Sequence, residues 1–190
     1  MSRSPLHRGR LIIVSNRLPF TVRVEEGELR FDESAGGLVS GLSSCLDSYK
    51  HHLPRQEEHV WVGWPGTTIP EELRDQVRAR ALAEYHAYPV FLSEADMDHF
   101  YFGFCNSTLW PLFHYFPSYT DYREEYWQNY RRVNEFFCNS LAELIRPDDI
   151  VWVQDYHLML LPGLLRERLP HLRTGFFLHI PFPSFEIFRL

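Results

Sequence analysis

Asp155 and His157 stand two residues apart where the apolar run Val151-Trp152-Val153 ends, just before a second apolar run begins at Leu158. A carboxylate accepts the hydrogen of a sugar hydroxyl, and an imidazole can donate or accept, so the pair suits a polyhydroxyl ligand. An aspartate in that place can equally be an N-cap that holds the first amides of a helix. Arg17 follows Ser15 and Asn16 at the end of Leu11-Ile12-Ile13-Val14. Its guanidinium can grip a phosphate through two parallel hydrogen bonds, which a lysine does less specifically. An arginine paired to a carboxylate at a sheet rim would look the same in sequence. Gly36 and Gly37 precede a helical pattern over 38–49, whose first amides and positive dipole end could meet a phosphate or diphosphate. A tight turn would also call for two glycines, and the pair lacks the GxGxxG and GK[ST] spacings. His179, between Phe177-Leu178 and Ile180-Pro181-Phe182-Pro183, is either a ligand or a residue of a rigid turn. Tyr101, Trp64 and Trp110 could line a sugar pocket or fill core.

Side chains so far apart in the chain can act together only if the fold gathers them. Apolar runs at 11–14, 59–63, 87–92, 150–153 and 174–178 predict strands, and the β-branched and aromatic run at 150–153 fits a central strand buried on both faces. Three of them end in polar groups: Ser15-Asn16-Arg17, Asp155 with His157, and His179. In an open parallel sheet, ligands sit beyond the carboxyl ends of the strands, so three polar tips predict one shared cleft. Alternation around Glu26-Gly27 predicts a β-hairpin beside the first strand end. Helical spacing predicts helices over 70–84, 106–113 and 122–145, with others starting at Leu158 and Ser184. Ser93 and Asp96 form a capping-box pattern opening a helix that carries Phe100, Tyr101 and Phe104. The segment 150–178 is a βαβ unit, whose crossover is right-handed. The expected class is α/β: a mainly parallel sheet flanked by helices, in one domain.

The composition is that of an ordinary globular chain, with 190 residues, 45% hydrophobic and 23% charged. A net charge of −6 argues against nucleic acid as a partner, though isolated arginines can still hold small phosphates. Cys45, Cys105 and Cys138 have no zinc spacing, and no HExxH or similar pattern occurs, so no metal is expected. Three widely spaced cysteines fit a reduced, cytoplasmic setting. The apolar run after Arg3, Arg8 and Arg10 is too short for a signal or a membrane span.

Ser15-Asn16-Arg17-Leu18-Pro19, Ser34-Ala35-Gly36-Gly37-Leu38, Val62-Gly63-Trp64-Pro65-Gly66, the stretch 106–114, Asp155-Tyr156-His157-Leu158 and the stretch 177–183 occur in this order across the chain. Together they resemble the trehalose-6-phosphate synthase family, over nearly everything from Leu11 onward. The resemblance implies a retaining glycosyltransferase of the GT-B type, in which two Rossmann-like domains face one cleft. It implies transfer of glucose from UDP-glucose to glucose 6-phosphate, giving α,α-trehalose 6-phosphate and UDP, with no cofactor and no metal. By the family's pattern, Arg17 and Tyr101 contact the acceptor phosphate, Asp155 the acceptor hydroxyls, and His179 the donor glucose. Gly36 and Gly37 meet the donor diphosphate, Trp64 lines the cleft, and Trp110 and Ile180 help select the anomer. Asp155 and His179 are thus the catalytic candidates. Retention by double displacement would want a close carboxylate pair. No motif singles one out, in keeping with a family in which the departing diphosphate takes the acceptor's proton on the same sugar face.

The chain departs from the family at Gln154, where histidine is usual, Cys105, where serine is common, and Phe185, where a small polar residue is common. It also stops at Leu190, whereas members continue into a domain that supplies an arginine, a lysine and most of the nucleotide pocket. The expectation is an acceptor-side domain spanning 1–190, an N-terminal fragment that does not turn over alone. Two rivals remain: a related transferase with another acceptor such as glycerol phosphate, and a non-catalytic, regulatory sugar-phosphate-binding relative. A homo-oligomer stays open.

Overall fold

The computed structural model describes residues 9–25, 27–33, 41, 42, 44 and 59–189, and the structural statements below concern those residues. Strands β1 (Leu11–Arg17), β4 (His59–Trp64), β5 (Ala87–Pro89), β6 (Ile150–Gln154) and β7 (Arg173–Phe177) form one sheet in the order β5-β4-β1-β6-β7. Every pairing in it is parallel. The hairpin expected around Gly27 is present as β2 (Phe20–Glu25) and β3 (Glu28–Glu33), with Gly27 at φ 83°. With the hairpin set aside, the strand order is that of a doubly wound sheet, and it reverses between β1 and β6. In sheets of this kind such a reversal is where ligands bind, beyond the carboxyl ends of the two strands.

Alternation along the strands divides the core between two faces. Ile12, Val14, Val60, Val62, Val151 and Val153 belong to one cluster, together with Phe100, Val133, Phe137 and Leu161. Ile13 and Trp61 belong to the other, with Val22, Leu42, Val77 and Ala81. The first face is covered by helices α2 (94–113), α3 (Glu124–Leu144) and α4 (Leu161–Arg168); the second by the hairpin and helix α1 (Arg74–Tyr85). A short helix, α5 (Phe185–Phe188), follows β7.

Three expectations need correction. The strand expected over 87–92 is hydrogen-bonded as β5 only to Pro89, a residue without an N–H to offer the ladder, although the Val90 N–H still donates to Gly63 O at 2.8 Å. The helix expected from Leu158 begins at Leu161, because a 3₁₀ turn over Tyr156–Leu158 comes first. The two helical segments expected after Ser93 are one continuous helix, whose stretch Met97–Leu109 is π-helical. The Trp110 N–H accordingly donates to Cys105 O, five residues back. The capping box at Ser93 is formed as expected. Cys105 and Cys138 are buried free thiols. The helix expected over 38–49, Cys45, and Gly36 with Gly37 lie outside the described residues, apart from Gly41, Leu42 and Ser44, which are helical.

Candidate active site

The end of β1 is irregular, and that irregularity sets Arg17. Its register against β4 shifts between Val14 and Arg17, so that Arg17 pairs with Trp64. The Ser15 hydroxyl braces the bend by donating to Arg17 O at 2.8 Å and accepting from Trp61 Nε1 at 2.7 Å. The bend leaves no room on the neighbouring strand. A Cβ on Gly63 would lie 2.9 Å from the backbone of Ser15, Arg17 and Leu18, which explains a glycine there. Gly66, at φ 87°, opens space beside Arg17 Nη2 and the Thr21 hydroxyl, which hydrogen-bond each other at 2.8 Å. The guanidinium carbon sits 5.6 Å from the Trp64 ring centre. No carboxylate pairs with Arg17 among the described residues. Trp64 Nε1 and the buried Asn16 Oδ1 also lack partners there.

Across β1, strand β6 stops at Gln154, and the chain turns through Asp155. Asp155 has φ 71° and ψ 169°, a region that glycine enters freely and other residues occupy at a cost of about 1–3 kcal/mol. What holds it there is visible. Its N–H donates to Phe177 O at 2.7 Å, and its Oδ1 accepts from the N–H groups of Tyr156 at 3.0 Å and His179 at 3.2 Å. The Tyr130 hydroxyl donates to Tyr156 O and accepts from the Met159 N–H, bracing the turn from α3. The capping reading of Asp155 is borne out, and it uses only one of the two carboxylate oxygens. Oδ1 caps the turn, while Oδ2 accepts no hydrogen bond among the described residues and faces His157 Nδ1 at 3.9 Å.

His157 is the least expected piece. The strand does not continue through it, yet it stays beside Asp155, with its side chain 12% exposed and Nδ1 unpartnered among the described residues. Its ring lies against Tyr101, centres 5.7 Å apart and nearly parallel, and against Tyr156 at 4.0 Å. Burial pushes its pKa down to about 4, with the Asp155 carboxylate pulling the other way, so the imidazole is neutral at pH 7.

Tyr101 is half-buried, on the π-helical stretch that also delivers Trp110. Trp110 is exposed and lies 5.8 Å from Tyr156 and 4.1 Å from His114. His179, past the end of β7, is exposed; its Nε2 meets Gln154 Oε1 at 2.9 Å, and its ring packs on Phe177. Ile180 packs against the main core cluster instead. The structure thus joins Asp155, His179, His157 and Tyr101 by direct contact, and Arg17 with Trp64 one strand over. Gly36 and Gly37 lie outside the described residues. Among those residues no group of three or more His, Cys, Asp or Glu could hold a metal ion, and no helix is long and apolar enough to cross a membrane.

The sequence model of glycosyltransferase family 20 matches residues 9–190. The chain belongs to glycosyltransferase family 20. It is 46% identical over 183 residues to the alpha,alpha-trehalose-phosphate synthase [UDP-forming] A of Dictyostelium discoideum, covering 96% of this chain and 24% of that protein. The corresponding synthase of Emericella nidulans is 44% identical, over 100% of this chain and 37% of its own length. Among family structures, the E. coli protein bound with UDP-2-fluoro glucose aligns with a TM-score of 0.71 at 35% identity, over 95% of this chain and 35% of that one. The Burkholderia xenovorans synthase in complex with glucose-6-phosphate gives 0.69 at 32% identity, over 94% and 35%. The Rossmann-like, GT-B-type fold expected from the family resemblance is therefore borne out. The chain spans between about a quarter and two fifths of the length of these family members.

Proposed function

We propose that this chain is the acceptor-side domain of a retaining glucosyltransferase that moves glucose from UDP-glucose to glucose 6-phosphate, releasing UDP and forming α,α-trehalose 6-phosphate. The observation that carries the reading is the division of charge across the crevice. Arg17, free of any carboxylate among the described residues, lies on Trp64 on one side of β1, and Asp155, with an unclaimed Oδ2, lies on the other. A sugar phosphate has the same division: an anion at one end and hydroxyl donors along the ring.

In this reading Arg17 and Tyr101 hold the acceptor phosphate and Asp155 Oδ2 accepts from an acceptor hydroxyl. His179 meets the donor glucose, Gly36 and Gly37 the donor diphosphate, and Trp110 with Ile180 biases the anomer. The protein's part is orientation and charge stabilisation, and the departing diphosphate takes the acceptor's proton on the face it leaves. The reaction is that of a protein of the relatives' length carrying this chain, with the remaining length supplying the rest of the nucleotide pocket. No cofactor or metal is called for. The Asp149 and Arg10 carboxylate and guanidinium, remote at the other strand ends, take no part.

The test is UDP release by a protein of that length carrying this chain, with UDP-glucose and either glucose 6-phosphate or glycerol 3-phosphate. Release that requires glucose 6-phosphate supports the reading. Release with glycerol 3-phosphate alone assigns another acceptor, and release with neither, despite sugar-phosphate binding, assigns a sensing role.

A further inference from the structure

Gln154 ends β6 fully buried, and its two amide atoms have different partners. Nε2 lies 3.3 Å from Trp152 O, and Oε1 lies 2.9 Å from His179 Nε2. A carbonyl oxygen only accepts, so the amide nitrogen must face Trp152 O, which leaves Oε1 toward the histidine. Oε1 also only accepts, and an amide does not titrate. The proton of a neutral His179 ring is therefore required at Nε2, and Nδ1 is left with its lone pair.

From this we infer that Gln154 is a positioning residue that fixes His179 in the Nε2–H tautomer and presents Nδ1 to the crevice as a hydrogen-bond acceptor. The rest of the ring is held to match. Its backbone N–H donates to Asp155 Oδ1, Phe177 flanks it with ring centres 4.6 Å apart, and Nδ1 makes no hydrogen bond among the described residues. Asp155 Oδ2 is the second unclaimed acceptor nearby. Asp155 and His179 thus each offer one acceptor to this corner. It suits hydroxyl hydrogens better than a phosphate, for which Arg17, without a carboxylate partner among the described residues, lies on the far side of β1. The tautomer assignment stands on hydrogen bonding alone; its consequence for donor-sugar recognition rests on the proposed transferase reading.

The primary test needs no variant. Long-range proton–nitrogen correlation spectra of the nitrogen-labelled chain at pH 7.5 should show His179 with a protonated Nε2 and an unprotonated Nδ1. Gln154→Glu keeps the shape and places an anion against Nε2, so the titration midpoint of His179 should rise by one unit or more. Gln154→Leu should give a mixture of tautomers. An Nδ1–H tautomer in the parent chain, or an unmoved His179 midpoint in a folded Gln154→Glu chain, overturns the inference. In a protein of the relatives' length carrying this chain, kcat for UDP release should fall tenfold or more at pH 6.5 with Gln154→Glu and recover as pH rises. The expected spectra without any transfer activity would instead count against the transferase reading.

Discussion

Strands β1 and β6 carry one arginine and one aspartate at each of their ends, and the two ends treat them oppositely. At the amino ends, Arg10 and Asp149 are buried and paired. Asp149 Oδ1 accepts from the Arg10 backbone N–H and Nε, and Oδ2 accepts from Arg10 Nη2 at 2.7 Å and the Arg146 N–H at 2.9 Å. Nothing is left over for a ligand. At the carboxyl ends, Arg17 and Asp155 do not pair, Asp155 sits in strained backbone, and Asn16, Trp64 and His157 keep buried polar atoms without partners among the described residues. Buried polar groups are ordinarily satisfied, and three of the six partnerless ones among the described residues lie at these carboxyl ends, the others being on Arg78, Thr120 and Asn134. The same residue types pair with each other at one end and stay unpaired at the other.

Substitutions should separate the two ends cleanly. Asp149→Ala, which strands the buried Arg10, should cost about 3–5 kcal/mol in urea unfolding without altering the affinity of the folded protein for glucose 6-phosphate. Arg17→Ala should do the reverse. Losing a charge-assisted phosphate contact of about 1.5–3 kcal/mol should weaken glucose 6-phosphate binding by calorimetry about 10- to 100-fold, while unfolding stability shifts by less than about 0.5 kcal/mol. If Arg17→Ala instead unfolds the protein, the contrast between the ends is lost. Asp155→Gly and Asp155→Ala both remove the carboxylate, but only glycine relieves the backbone. The glycine variant should be more stable than the alanine variant by about 1–3 kcal/mol, with sugar-phosphate binding reduced in both.

A last contrast concerns pH. The folded-state pKa of His157 lies below its unfolded value of 6.5, so the unfolded chain binds more protons between there and about 4. Stability should thus fall as pH drops through that window and level off above it, and His157→Gln should flatten the profile. Asp149 acts lower. Burial works to raise its pKa, but the hydrogen bonds from Arg10 and Arg146 outweigh it and hold the carboxyl below its usual 3.8. Its contribution is present above that value and is lost as pH falls through the folded pKa.

The sheet was legible because its central strands, buried on both faces, read as apolar runs, and the polar tips because Arg17, Asp155 and His179 interrupt such runs abruptly; the edge strand β7 is largely exposed. The helix after β6 was placed too early: apolar spacing continues through Leu158, whereas Asp155 spends its side chain on a 3₁₀ turn and Pro162 suits the first turn of a helix beginning at Leu161. The π-helical stretch was illegible. Hydrogen bonds to the fifth residue back leave no mark in composition, and the aromatics of 100–104 fit either spacing. Gln154 was noticed only as a departure from the family, although a polar residue closing a buried strand is itself a signal that something beside it needs a hydrogen bond.

The π-helical stretch Met97–Leu109 has one further consequence. Each of its turns spools one residue more than an α-turn, so the segment holds slack between Ser93 and the packed Phe113. Deleting a single residue there can be absorbed by tightening one loop of the coil, leaving both anchors in place. The cost would fall on aim: Tyr101 and Trp110 would swing out of phase with one another, and a folded protein would have a misdirected pocket.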